Sequence, residues 1–213
     1  MLQLLQGKAP IAKHCKDKRG WGQRIGRYIA AEGYRLFLPE QYAATNRASW
    51  NFIWNYPSVP KIDHFCWTAA HNNILTGDNL KKRGMEGPTR CPLCCSEEET
   101  MNHLLLNCPV ARGIWTEALC LNLDDLAVPP TVVDIFASWA TLSPFDLGKK
   151  NLLKSIWMCV PKIVCWNIWL ERNNRLFREE ENSSIKIAIK CKAFLSELFE
   201  TKHHLKNSRD LDP

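Results

Sequence analysis

The chain has no long hydrophobic run: in its 213 residues the most apolar stretch, Ile156 to Leu170, is broken by Pro161 and Lys162. That falls short of the roughly 18 uninterrupted apolar residues of a membrane span, which excludes a transmembrane reading. Met1 to Cys15 lacks a positive cluster followed by an apolar block. No secretory signal is therefore read, and a reducing, intracellular compartment, nucleus or cytoplasm, is expected. No Ser/His/Asp arrangement, Gly-rich phosphate loop or EF-hand spacing is found, which removes the commonest hydrolase, nucleotide and calcium chemistries. Internal repeats and low-complexity tracts are missing as well.

What is present is a globular composition, 46% hydrophobic and 23% charged, enough for one substantial core or two small ones. Ten cysteines without an export signal point to metal binding or burial rather than to a disulfide framework. Nine tryptophans mark a packed interior or an interface. The net charge of +6 is unevenly spread: residues 1–50 carry nine basic and three acidic side chains, whereas 91–150 carry three and eight. A basic arm beside an acidic middle suits a polyanionic partner, and it equally suits a merely solvated arm.

Residues 1–45 read as this arm, with glycines at 20, 22, 26 and 33 and one regular apolar element, a short strand or helix, at Tyr34 to Leu38. Helical signals follow. Asn46 can cap a short helix carrying Trp50, Ile53 and Trp54, stopped by Pro57 and Pro60. Ile62, Phe65, Cys66 and Ala69 make one stripe, and Thr76 can cap a helix running to Arg83, with Gly84 at the left-handed C′ position. Ser96 with Glu99 reads as a capping box, predicting a helix from Glu97 that turns Met101, Leu104 and Leu105 inward. Pro109 opens a helix with Val110, Ile114, Trp115, Ala118 and Leu119 on its apolar side. Beyond the Asp124 to Pro130 stretch, Val133, Phe136, Ala137 and Ala140 form a short amphipathic helix. Leu153, Ile156, Trp157, Val160 and Val164 continue at helical spacing with a break at Pro161, and the helix resumes through Trp166, Trp169 and Leu170 to Phe177. Ala188, Cys191, Leu195 and Leu198 form a last seam that calls for a partner helix, and the end from Lys202 is expected to fray. The expected fold is mainly α: an arm over 1–45, a small metal-stapled helical module over 46–122, and a helical region over 123–213 ending in a hairpin.

The chemistry concentrates in Cys91-Pro-Leu-Cys94, His103 and Cys108, a C-x2-C-x8-H-x4-C pattern. Two cysteines two residues apart grip one ion from a tight turn. Three thiolates and one imidazole then close a tetrahedral shell, which suits one structural zinc rather than a catalytic ion with an open position. Such a centre carries a net charge of −1, a staple more naturally than an anion receptor. The alternative is a set of thiol and imidazole side chains simply buried in a helical core.

Val59-Pro-Lys-Ile-Asp-His-Phe-Cys-Trp67, Leu75-Thr-Gly-Asp-Asn-Leu80, Arg83-Gly84, Cys91-Pro-Leu-Cys94, Glu99-Thr-Met-Asn-His-Leu104, Cys108-Pro109 and Trp115 follow one another in order. This string resembles the zinc-binding domain that follows the polymerase in plant non-LTR (LINE-type) retrotransposon reverse transcriptases. Gly33-Tyr34-Arg35-Leu36 resembles that family's entry segment. Trp166-Asn-Ile-Trp169, Glu171-Arg-Asn173 and Phe177 resemble the tract before its RNase H domain. The resemblance implies that Cys91, Cys94, His103 and Cys108 are the zinc ligands. The family usually has glycine after the second cysteine; here Cys95 stands there, a strained choice if the turn needs positive φ and a competing thiol for the ion.

The polymerase aspartates are missing. The pair Asp124-Asp125 follows Asn122-Leu123 and lies after the cluster, so it reads as solvated loop, and no RNase H carboxylate set follows Phe177. The chain is therefore expected to be a non-enzymatic piece of a retroelement polyprotein. For nucleic acid, RNA or DNA, the candidates are Lys13, Lys16, Lys18, Arg19, Arg24 and Arg27, interleaved with Trp21 and Tyr28, and a second basic point at Lys81, Lys82 and Arg83. The competing expectation is a zinc-stabilised interaction scaffold meeting a partner helix or the reverse-transcriptase polyprotein; a retroelement remnant without a role is a third. His64 and His71 with Cys66 are read as packing or capping groups rather than a second metal site, and His14-Cys15 as surface. Cys159 and Cys165 are read as buried thiols, and Asn182-Ser183-Ser184 as a silent glycosylation sequon.

Overall fold

The computed structural model describes residues 51–120, 131–143 and 152–209, together with the backbone of two short strands in the N-terminal arm. The chain divides into two compact units, Met1–Thr45 and Asn46–Pro213. In the first, β1 (Gly20–Trp21) pairs antiparallel with β2 (Arg24–Ile25), Gly20 opposite Ile25 and Trp21 opposite Arg24. Tyr34 to Leu38, the Gly33–Leu36 segment, His14-Cys15, Trp50 and Asp124-Asp125 lie outside the described residues.

The second unit is helical. Residues 51–55 form a helix, followed by α1 (Pro60–Ala70), α2 (Gly77–Lys82), a π-helical turn (His103–Asn107), α3 (Pro109–Leu119), α4 (Val132–Ser138) with a 3-10 turn (Trp139–Leu142), α5 (Leu152–Trp157), α6 (Val160–Phe177) and α7 (Ser184–Arg209). Proline enters at the first turn of α1, α3 and α6, where its missing N–H costs no helical bond. Gly84 follows α2 at φ 71°, as its C′ role requires. No described helix is long and apolar enough to cross a membrane.

One core runs through the unit, joining Ile62, Phe65, Cys66 and Ala69 of α1 to Ile114 and Trp115 of α3, and to Ile163, Val164 and Ile168 of α6. The tryptophans build much of it. Trp139 stacks on Trp157 with ring centroids 4.9 Å apart, meets Trp115 at 5.8 Å, and donates its Nε1–H to the Trp157 carbonyl. Buried Lys162 crosses from α6 and donates to the carbonyls of Ile53 and Tyr56, each at 2.7 Å, and to the Asp63 carboxylate at 3.0 Å. It thereby satisfies backbone acceptors where the 51–55 helix ends.

Several expectations are corrected. No helix begins at Glu97; regular helix starts at Met101, and the Ser96 hydroxyl donates to the Cys94 carbonyl instead of capping. The Thr100 carbonyl and hydroxyl accept from the first helical N–H groups, and Glu99 turns inward to a distant partner. Met101, Leu104 and Leu105 are nevertheless buried, as expected. Trp54 is exposed while Phe52 and Ile53 are buried. In α4 the inward set is Val132, Ile135 and Phe136, continued by Trp139, so Val133, Ala137 and Ala140 do not form the buried stripe. Phe136 is common to both sets and stacks on Phe52 at 5.4 Å, while Trp139, seated between Trp115 and Trp157, distinguishes the observed rotation. Leu153 is exposed as well. The α7 seam finds its partner helices within the chain: Cys191 lies in the core, Leu195 and Leu198 pack partly buried against it and Ala188 is buried, with α7 lying against α3, α5 and α6. The hairpin of α6 and α7 forms as expected.

Candidate metal centre

Cys91, Cys94, His103 and Cys108 each offer one ligand atom, and these four atoms lie within 4.8 Å of one another. The first pair comes from a knuckle. The Cys91 N–H donates to the Glu97 carbonyl and the Cys95 N–H to the Cys91 carbonyl, which folds Pro92 and Leu93 into a tight turn. Cys95 sits at φ 56°, the left-handed conformation for which glycine is suited. Its side chain is exposed, and its sulfur is not among the four converging atoms.

The second pair comes from the helical side. His103 and Cys108 are five residues apart, and the Cys108 N–H donates to the His103 carbonyl at 2.7 Å, an i→i+5 closure. This π-helical turn brings His103 and Cys108 within one turn of each other, a local irregularity of the kind found at functional sites. Cys108 then stands at the N-cap of α3.

Two of the distances lie near those of a tetrahedral ion. Bonds of about 2.3 Å to sulfur and about 2.0–2.1 Å to nitrogen demand S···S near 3.8 Å and S···N near 3.6 Å. The sulfurs of Cys91 and Cys108 are 3.9 Å apart, and the Cys94 sulfur is 3.3 Å from His103 Nε2. His103 thus presents Nε2 to the centre, while Nδ1 lies 3.8 Å from the Glu97 carboxylate. Three thiols and one imidazole match zinc in chemistry as well as spacing.

The electrostatics favour anionic sulfur on the helical side. The Cys91 thiol donates to Cys108; this bond, then burial, holds the Cys91 proton well above the usual thiol range. The same bond lowers Cys108 against the opposing effect of burial, assisted by the N–H groups of Ala111 and Val110 in the first turn of α3. Backbone N–H groups of Cys94 and Leu93 likewise reach the Cys91 sulfur.

The surroundings contain residues that pattern reading missed. Glu99 is wholly buried, and its carboxylate accepts from Arg172 Nε at 2.7 Å, Arg172 Nη2 at 3.0 Å and the Gly77 N–H at 2.8 Å. Arg175 donates to the Leu93 carbonyl at 2.8 Å, inside the knuckle. Glu171 accepts from Arg175 and from the Asn182 backbone and side chain. Glu99 carried a misleading local signal, and no spacing links the arginines to residues some 80 positions earlier.

The other candidates are placed as follows. Lys81, Lys82 and Arg83 are exposed at the end of α2, where Lys82 pairs with Asp78 at 2.9 Å and Arg83 donates to the Asn73 carbonyl. Lys13, Lys16, Lys18, Arg19 and Arg27 lie outside the described residues, and of Arg24 only the backbone is described. His64 and His71 both contact the Trp67 ring, at 5.7 and 4.7 Å, and Cys66 is buried in the core; among the described residues these three form no metal cluster. Cys159 and Cys165 are buried free thiols. Asn182 is buried on Glu171, a structural use of the sequon asparagine.

A family model described as zinc-binding in reverse transcriptase matches residues 28–115, a span that contains all four candidate ligand groups. A protein of Arabidopsis thaliana named "Putative ribonuclease H protein" is 22% identical over 169 residues, covering 77% of this chain and 26% of that protein. The chain thus spans about a quarter of the length of this curated relative. No solved structure matches the chain.

Proposed function

From the match of residues 28–115 to the zinc-binding region of reverse transcriptases, we propose that the chain acts as a non-catalytic, retroelement-derived zinc module of the plant LINE type. In this reading Cys91, Cys94, His103 and Cys108 hold one structural zinc ion, and the module contributes nucleic-acid binding within a reverse-transcriptase polyprotein. The observation that carries it is the convergence of three sulfurs and one imidazole nitrogen within 4.8 Å of one another. Zinc would supply a covalently tight cross-link between the knuckle and the π-helical turn. The chain's own residues set its geometry, through the N–H groups at the N-terminus of α3 and the Cys95 turn.

Native mass spectrometry tests the metal: the parent is expected to carry one zinc and Cys91→Ser/Cys108→Ser none. A folded, metal-free parent defeats the reading. For nucleic acid, Lys81, Lys82 and Arg83, with the arm residues Lys13, Lys16, Lys18, Arg19, Arg24 and Arg27, are the proposed phosphate contacts. Binding to single-stranded RNA should weaken with salt at a slope of roughly −0.7 per phosphate. Replacing Lys81, Lys82 and Arg83 with alanine should make that slope shallower by about 2. A slope unchanged in the triple variant removes this basic point from the interface.

A further inference from the structure

Helix α6 reaches the metal loop at two places, and both contacts come from beyond residue 115, where the family match ends. Arg172 and Arg175 are one helical turn apart and therefore share a face. Arg172 is buried and uses its whole fork. Nε and Nη2 grip the two oxygens of Glu99, Nη2 also donates to the Leu75 carbonyl, and Nη1 donates to Asn173 Oδ1. Glu99 in turn accepts the Gly77 N–H through its carboxylate and the Asp78 N–H through its carbonyl. The segment leading into His103 is thus pinned four residues before the ligand.

Arg175 holds the other half. Its Nε and Nη2 are fixed by Glu171 and Glu181, each at 3.0 Å, which leaves Nη1 to donate to the Leu93 carbonyl at 2.8 Å. That carbonyl belongs to the peptide unit that joins Leu93 to Cys94, the second cysteine of the knuckle. A peptide unit is planar, so holding its oxygen orients its N–H. The guanidinium therefore fixes the rigid plane from which Cys94 springs, the role that outer-shell groups play in metal sites generally.

We propose that Arg175, supported by Glu171 and seconded by the Arg172–Glu99 pair, is a positioning residue of the metal centre, so that zinc affinity depends on the docking of α6. This inference rests on the zinc reading above and extends it to residues outside the ligand loop.

The test uses the full chain and chelator competition for zinc. Arg175→Ala is expected to bind zinc about ten- to a hundredfold more weakly than the parent. Arg175→Lys keeps a charge beside Glu171 and Glu181 but loses the three-way fork, and should fall between the two. Arg178→Ala, an exposed position bonded only to its neighbour Asn174 among its side-chain contacts described, should match the parent. With cobalt(II) as the probe, the thiolate-to-metal charge-transfer band should shift in Arg175→Ala and return part of the way in Arg175→Lys, a readout that a general loss of stability would not move. A folded Arg175→Ala with affinity within twofold of the parent and an unshifted band overturns the proposal. Should that variant not fold, parental affinity in Arg175→Lys overturns it. A parent that takes no metal overturns the zinc reading itself, whereas a zinc-binding parent with indifferent variants overturns the clamp alone.

Discussion

Two backbone positions around the metal loop carry opposite demands. Cys95 occupies φ 56° with an exposed side chain, so its Cβ is strained without contributing to packing. Cys95→Gly should therefore raise stability by about 1 kcal/mol and leave zinc affinity at least equal to the parent's. Thermal denaturation and a competition titration check the two halves, and a large loss of affinity would make Cys95 a ligand. Gly77 is the reverse case: a Cβ there would lie 2.2 Å from the Pro88 carbonyl oxygen and 3.3 Å from the Glu99 carboxylate. Gly77→Ala should cost about 2 kcal/mol, because neither the backbone oxygen nor a carboxylate locked to Arg172 has room to yield. The urea midpoint measures it.

Among the elements, the π-helical turn and the start of α6 matter most. An uninterrupted α-helix would set His103 and Cys108 on different faces; the extra residue in the turn brings both to the knuckle. Lys162, at the start of α6, closes the end of the 51–55 helix and balances Asp63, which also accepts from the Ser58 N–H and hydroxyl. Lys162→Met fits the space but removes the Lys162 donor from two carbonyls and leaves the buried Asp63 carboxylate with the Ser58 donors and no charge partner. A loss of about 3–5 kcal/mol is expected by chemical denaturation, the scale for breaking one side of a buried pair.

At the level of the whole unit, the ligands and the hairpin share a core. Cys91 and Cys108 are fully buried among residues continuous with α6 and α7. Zinc removal should therefore loosen the hairpin as well as the loop. A chelator is expected to lower the unfolding temperature in one transition and to speed amide exchange in α6; exchange faster only within 91–108 would count against a shared unit. Acid should act through α6 too. Burial opposes the charged form of Glu171, but the Asn182 donors and Arg175 outweigh it and hold its carboxyl below the usual glutamate range. Its stabilisation is thus present above the ordinary glutamate range and lost as pH falls through the lowered value. Glu171→Gln should be less stable at neutral pH and should show a shallower decline below it, read from unfolding temperatures across that range.

Much of this was legible in the chain itself. The helical class, the stripe of α1, the proline starts and the C-x2-C-x8-H-x4-C pattern follow from local periodicity, fixed backbone preferences and ligand spacing, all of which act within a few residues. Tertiary structure decided the rest. Glu99 obeys a buried guanidinium rather than the local helix start that Ser96 suggests, because a desolvated carboxylate gains more from Arg172 than from a frayed turn. The rotation of α4 follows the place of Trp139 between Trp115 and Trp157, and the α7 seam meets α3, α5 and α6. Which arginine orients the knuckle depends on the meeting of residues 93 and 175, and no period in the sequence encodes that distance, because hydrogen bonds across a core answer to packing and not to spacing along the chain.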